Sequence, residues 1–149
     1  SGGQCGSHSL ALTGPGPSIV VGRKGSAGRV HWHEGPSWPI DTTYYVRLLT
    51  GSNPRFLFLL LESLDLPAIC AQTGVPGLNR ERAYELSVRV PDASEQDRIA
   101  TLVGAMEAVA SSSQQLAQAA AAARGALLIS ALAGEHEIPK SYDRLLERA

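Results

Sequence analysis

The sequence predicts an α+β fold: a small mixed α/β domain followed by one long α-helix of coiled-coil type. Three observations carry this. Short β-branched and Thr/Tyr runs punctuated by Gly and Pro fill the chain before residue 93, apolar or small residues recur at alternating steps of three and four from Ile99 to Ser130, and no proline appears between Ser94 and Gly134. The 149 residues suit one ordinary domain, or a smaller domain plus an extended element, and argue against a multidomain enzyme.

Residues 1–17 are dominated by Gly, Ser and Pro and read as a loop or flexible N-terminal segment. The domain proper is expected over 18–93. Ser18 to Gly22 joins Ile19, Val20 and Val21 in a buried-strand pattern that stops at glycine. Gly22, Gly25 and Gly28 then space a loop that also carries Arg23 and Lys24 and leads into Arg29. Arg29 to Trp32 reads as a second strand, Gly35 to Pro39 as a turn, and Thr42 to Leu49 as a third strand. Asn53 followed by Pro54 predicts an N-cap and first helical residue for a helix over Arg55–Ser63, whose all-round apolar character implies burial. Gln72 to Arg82 reads as a loop, and Glu85 to Val90 alternates well enough for a strand ended by Pro91.

Ser94 is the expected N-cap of the long helix, with Glu95 and Asp97 in its first turn. The seam runs through Ile99, Leu102, Met106, Val109, Ser113, Leu116, Ala120, Ala123, Leu127 and Ser130. From Ser94 to Ala133 such a helix is about 60 Å long, and the chain contains no second long amphipathic segment to bundle with it. The seam therefore needs a partner chain. Ile99, Leu102, Met106, Val109, Leu116, Ala120, Ala123 and Leu127 are the expected helix interface. Its Ala-rich middle permits close approach while burying little apolar area. Gly134 is the C-cap candidate, and 134–149 form a C-terminal extension.

Composition and motifs exclude much. Cys5 and Cys70 are too few for a disulfide framework or a four-cysteine zinc site and suit a reducing, cytoplasmic setting. The longest apolar run, Phe56 to Leu61, is far short of the roughly 20 residues that cross a bilayer, and Ser1 to Pro17 has no secretory-signal pattern. The three glycines match neither dinucleotide nor P-loop spacing. His31 and His33 share one side of a strand, with Glu34 or Asp41 near in sequence, but a third metal ligand is not evident. Ser26 lacks a nucleophile elbow, and the apolar context of Cys70 raises its thiol pKa. No methyltransferase catalytic tetrapeptide or cofactor-binding glycine fingerprint is visible. The expectation is a protein without catalytic residues, cofactor or metal.

Charge is more informative locally than in total. Net charge is −1, with eight basic against seven acidic residues up to 93 and five against seven beyond. Yet from Gly22 to His33 three cations stand without a carboxylate, in a glycine-rich segment able to meet phosphates and guanine edges. A solvated basic turn is the alternative. Asn79, Arg80 and Arg82 add residue types that read purines, diluted by Glu81 and Glu85.

The segment Pro91 to Ala100, Pro-Asp-Ala-Ser-Glu-Gln-Asp-Arg-Ile-Ala, resembles the junction that opens the conserved helix in type I restriction-modification specificity subunits. Ile19 to Gly28 looks like that family's glycine loop, Trp38 to Val46 and Gly74 to Asn79 have its look, and Leu127 to Pro139 resembles the end of its conserved helix. The likeness covers about Pro17 to Pro139.

The resemblance implies that 18–93 is a target-recognition domain and 94–133 a helix for dimerisation or methyltransferase docking. It makes Arg23, Lys24, Ser26, Arg29, Asn79 and Arg80 the candidate DNA contacts. The implied partners are double-stranded DNA with a split recognition site, the methyltransferase subunit and a second copy of the chain, with no membrane. The family's subunits carry two recognition domains and two antiparallel helices, whereas this chain has one of each and a shortened front. A half-length subunit, a truncated relative or a fragment all fit. The alternative function is a coiled-coil regulator that occupies the methyltransferase without reading DNA.

Overall fold

A computed structural model describes residues 5–70 and 77–135. Contacts divide the chain into two compact units, split between Val103 and Gly104. The first is α+β, as expected.

Its sheet has three antiparallel strands in the order β2-β1-β3, with β1 at Ser18–Gly22, β2 at Val30–His33 and β3 at Thr43–Tyr45. β1 lies in the centre because it is the one strand able to lose both faces to burial: every residue from Ser18 to Gly22 is buried. Ile19 pairs with Trp32 and Val21 with Val30 and Tyr44, while Val20 pairs with His31 and Tyr45. Since alternate residues face alike, His31 and His33 do share one side of β2.

The third strand is shorter than the expected Thr42–Leu49. Regular pairing ends at Tyr45, and the ladder reaches one hydrogen bond further, from Val46 N–H to the Ile19 carbonyl 2.9 Å away.

α1 spans Pro54–Ser63, and Asn53 caps it by accepting from Phe56 N–H at 2.9 Å. Phe56 and Phe58, about 200° apart around the helix, are buried and Leu57, Leu59, Leu60 and Leu61 half-buried, so burial reaches more than one side, and only Glu62 and Ser63 at the end are exposed. Phe58 meets the Trp32 ring edge to face at 5.8 Å between centroids. A 3₁₀ turn follows at Leu66–Ile69, and Leu66, Val21 and Leu78 form the centre of an apolar cluster.

Two expectations fail between residues 79 and 94. Arg80–Tyr84 is a short helix, α2, where a loop was expected, because the Asn79 carboxamide oxygen accepts from Glu81 N–H at 2.8 Å and from Arg82 N–H at 3.4 Å. Glu85–Val90 forms no strand: Val88 and Val90 remain exposed, and neither edge of the described sheet pairs with them. Alternation specifies a strand only where a ladder partner exists. Residues 71–76, which include part of the Gly74–Asn79 likeness, lie outside the described residues.

Helix α3 runs Ala93–Leu132. Its cap is Asp92 rather than Ser94, since Asp92 Oδ1 accepts from Glu95 N–H at 2.9 Å and the helix has already begun at Ala93. At the other end Gly134, with φ +74°, closes it in a Schellman turn: Glu135 N–H donates to the Ser130 carbonyl and Gly134 N–H to that of Ala131. Of the extension at 134–149, residues 136–149 lie outside the described residues.

The N-terminal segment contains neither helix nor strand from Cys5 to Pro17. It is nonetheless attached: Leu12 and Thr13 N–H both donate to the Ser37 carbonyl, and the His8 ring stacks on Trp38 at 4.4 Å.

Candidate nucleic-acid interface

The glycine loop is held shut by its own backbone. Gly22 N–H donates to the Arg29 carbonyl at 2.9 Å and Gly28 N–H to the Gly22 carbonyl at 2.8 Å. A Cβ on Gly22 would stand 2.1 Å from the Ser26 carbonyl oxygen, and one on Gly28, where φ is +80°, 2.4 Å from the Pro67 nitrogen. Only glycine permits both the tight loop and its seating on the 3₁₀ turn.

At the loop's entrance Arg23 and Lys24 N–H both donate to the Thr42 carbonyl, which ties the two residues to the start of β3. Their side chains are exposed. The Arg23 guanidinium donates to the Asp41 main-chain carbonyl at 3.2 Å and lies 5.9 Å from the Tyr44 ring centroid. These contacts aim the group while leaving most of its donors facing solvent.

The second basic segment is stitched to this one. Lys24 and Gly77 form an antiparallel bridge, and Leu78 N–H donates to the Arg23 carbonyl at 2.9 Å. The Tyr44 hydroxyl donates to the Leu78 carbonyl at 3.3 Å. Arg23 and Lys24 are thus brought beside the chain that leads directly into Asn79 and Arg80. Arg80 is exposed, 3.9 Å from Glu81 and 6.0 Å over the Tyr84 ring, an ion pair of the loose surface kind. Asn79 is occupied as the α2 cap through its oxygen.

Ser26 and Arg29 are placed differently. They line an open cleft with His31, Glu62, Asp65 and Cys70, which does not include Arg23 or Lys24. Ser26 Oγ and His31 Nε2 are buried there without a hydrogen-bond partner among the described residues. Burial, then the neighbouring His33 and Arg29 charges, lower the His31 pKa. Burial raises that of Cys70, whose thiol donates to the Leu66 carbonyl at 3.4 Å. Among the described residues, no group of three His, Cys, Asp or Glu side chains is arranged to hold a metal.

Sequence reasoning missed one polar junction. Asn53 N–H donates to Gln96 Oε1 at 3.0 Å, and Asn53 Nδ2 donates to Asp97 Oδ1 at 2.7 Å. The Asn-Pro pair signalled a cap, but nothing local signals a partner 44 residues away.

The second unit presents the helix seam. Leu102, at the end of the first unit, and Met106, Val109, Leu116 and Leu127 are 58–72% exposed, and Ala120 and Ala123 are exposed as well. Ile99, in the first unit, is half-buried.

A small sheet presenting long cationic side chains from a rigid loop, in a chain that continues into a long helix with exposed apolar residues, has the makings of a recognition module. The family model described as type I restriction modification DNA specificity domain matches residues 10–119. The chain belongs to that family, whose domains are DNA-recognition elements and generally non-catalytic. Comparison with proteins of curated function gives no match. No helix among the described residues is long and apolar enough to cross a membrane.

Proposed function

We propose that the chain is a specificity element that reads one half of a split duplex site through residues 18–93 and pairs, or docks onto a methyltransferase subunit, through residues 94–133. Arg23, Lys24, Asn79 and Arg80 form the leading contact surface. Ser26 and Arg29 contribute from the neighbouring cleft. The carrying observation is the Lys24–Gly77 bridge, which places the two basic segments side by side on one rigid support. Lys and Arg on such a support neutralise phosphates, and the Arg forks reach guanine edges in the major groove. Chemistry on the DNA belongs to partner subunits in this reading, and the setting is the cytoplasm.

The test is the double variant Arg23→Ala/Lys24→Ala, titrated against split-site duplex over a salt series with the methyltransferase subunit present. Loss of two phosphate contacts lowers the slope of log affinity against log salt by about 2 and weakens binding throughout. An unchanged slope and affinity would remove the loop from the interface.

A second reading has its own support in the exposed row Leu102, Met106, Val109, Leu116 and Leu127. A regulator that occupies the methyltransferase through this helix, without reading DNA, would keep the row and lose duplex retardation. Gel retardation of split-site duplex by the wild-type complex separates the two.

A further inference from the structure

We infer that Asn53 is a positioning residue that pins the first turns of α3 to the start of α1, and so fixes where the long helix is rooted on the sheet domain. One carboxamide and its backbone serve two helices. Its Oδ1 accepts from Phe56 N–H and caps α1, its Nδ2 donates to Asp97 Oδ1 at 2.7 Å, and its own N–H donates to Gln96 Oε1 at 3.0 Å. Gln96 is buried, at 6% exposure, and its other amide end donates to the Pro91 carbonyl at 2.9 Å.

Both groups of the Gln96 amide are therefore spent on holding the chain at Pro91 and the α1 cap at Asn53 in one place. A buried amide satisfied at both ends tolerates no rotation of its helix without leaving a polar group unpaired. Ala100, one turn further, is buried on the same side of the helix as Gln96.

The roles of Asn53 are chemically separable. An aspartate caps a helix as well as an asparagine does, but has no side-chain N–H to donate. Asn53→Asp therefore keeps the α1 cap and sets two carboxylates against each other at positions 53 and 97. Adding Asp97→Asn restores a donor from the opposite side, with the carboxamide then at position 97 donating to the carboxylate at position 53.

The reading as a DNA specificity element gives the junction its use: a helix that sets the distance between two half-sites needs a fixed root. The joint itself does not depend on that reading. The experiment measures hydrogen exchange on the full chain for wild type, N53D and N53D/D97N. In N53D, amides 97–101 exchange about tenfold faster or more while amides 57–61 keep wild-type rates, and the double variant returns 97–101 to near wild type. Unchanged exchange at 97–101 in N53D overturns the assignment. So does equal acceleration across 18–63, which marks loss of the whole unit, or failure of D97N to rescue.

A functional arm measures the preferred spacer of split-site duplexes with the methyltransferase complex. N53D broadens the preference and D97N narrows it again. A wild-type complex that binds no split site overturns the DNA reading alone, with the exchange result still deciding the junction.

Discussion

Gly28→Ala isolates the close approach that seats the basic loop. At φ +80°, an alanine carries a left-handed strain of about 1–2 kcal/mol. Its Cβ would also meet three backbone atoms: the Pro67 nitrogen at 2.4 Å, the Leu66 carbonyl carbon at 2.6 Å and Pro67 Cα at 2.8 Å. Backbone cannot swing aside as a side chain can, so the loop must lift by about an ångström from the 3₁₀ turn whose Leu66 anchors the Val21–Leu78 cluster. Overpacking of this kind costs about 1–3 kcal/mol, which brings the expected loss to about 2–5 kcal/mol. Gly51→Ala is the matched control, because Gly51 has φ +84° and open space where a Cβ would go. Urea unfolding followed by tryptophan fluorescence is the assay. Both tryptophans, Trp32 and Trp38, fall in the first unit, so the signal reports that unit alone. With a urea slope of about 1–2 kcal/mol per molar, Gly28→Ala lowers the midpoint by about 1–5 M, and Gly51→Ala by about half as much or less. Equal shifts for the two variants would refute the argument that the loop is held by contact rather than by its own turn geometry.

Asn79 has a structural duty that its DNA role must be measured against. Asn79→Ala costs about 1 kcal/mol through loss of the α2 cap, whereas Asn79→Asp keeps the cap and removes the amide donor, so retention of split-site affinity in Asn79→Asp assigns the residue to structure alone. The lowered His31 pKa makes the unfolded chain the better proton acceptor. Stability is fully present above the unfolded value of about 6.5 and falls as pH drops through it toward the folded value, and His31→Asn flattens that slope in midpoint-against-pH measurements. Deleting residues 117–123 removes one heptad, about 10 Å of helix or about three base-pair rises, and moves the preferred half-site spacing of the assembled complex by that amount if the helix is a ruler. An unchanged spacing would end that reading.

What was legible in the sequence was what local chemistry decides. Asn53-Pro54 fixed the start of α1 to within a residue, the β-branched Ile19-Val20-Val21 run marked the central strand, and the proline-free stretch with Gly134 marked both ends of α3 closely. The errors fall where a distant partner decides. Residues 85–90 alternate but pair with no strand among the described residues, and β3 ends at Tyr45, opposite Val20 in the middle of β1. The candidate site divides in the same way. Charge alone singled out Arg23 and Lys24, but their meeting with 77–80 depends on a bridge across about fifty residues of sequence, and the separate cleft of Ser26 and Arg29 depends on where the 3₁₀ turn lies.

The long helix distributes its apolar side chains unevenly, and this shapes what pairing through it can do. Leu102, Met106 and Val109 lie toward one end and Leu127, Leu128, Ile129 and Leu132 toward the other, all exposed, while the seam between them offers Ser113, Leu116, Ala120 and Ala123. Burying a large aliphatic side chain contributes about 1.5–3 kcal/mol, and an alanine methyl a fraction of that. The two ends would therefore hold a partner and set its register, with the middle contributing close approach and little energy. A spacer built in this way can change length without loss of its attachment points, since one heptad removed from 117–123 returns the flanking side chains to the same face. Length and grip are then separate properties of one helix, the arrangement that the proposed role of measuring distance along DNA would require.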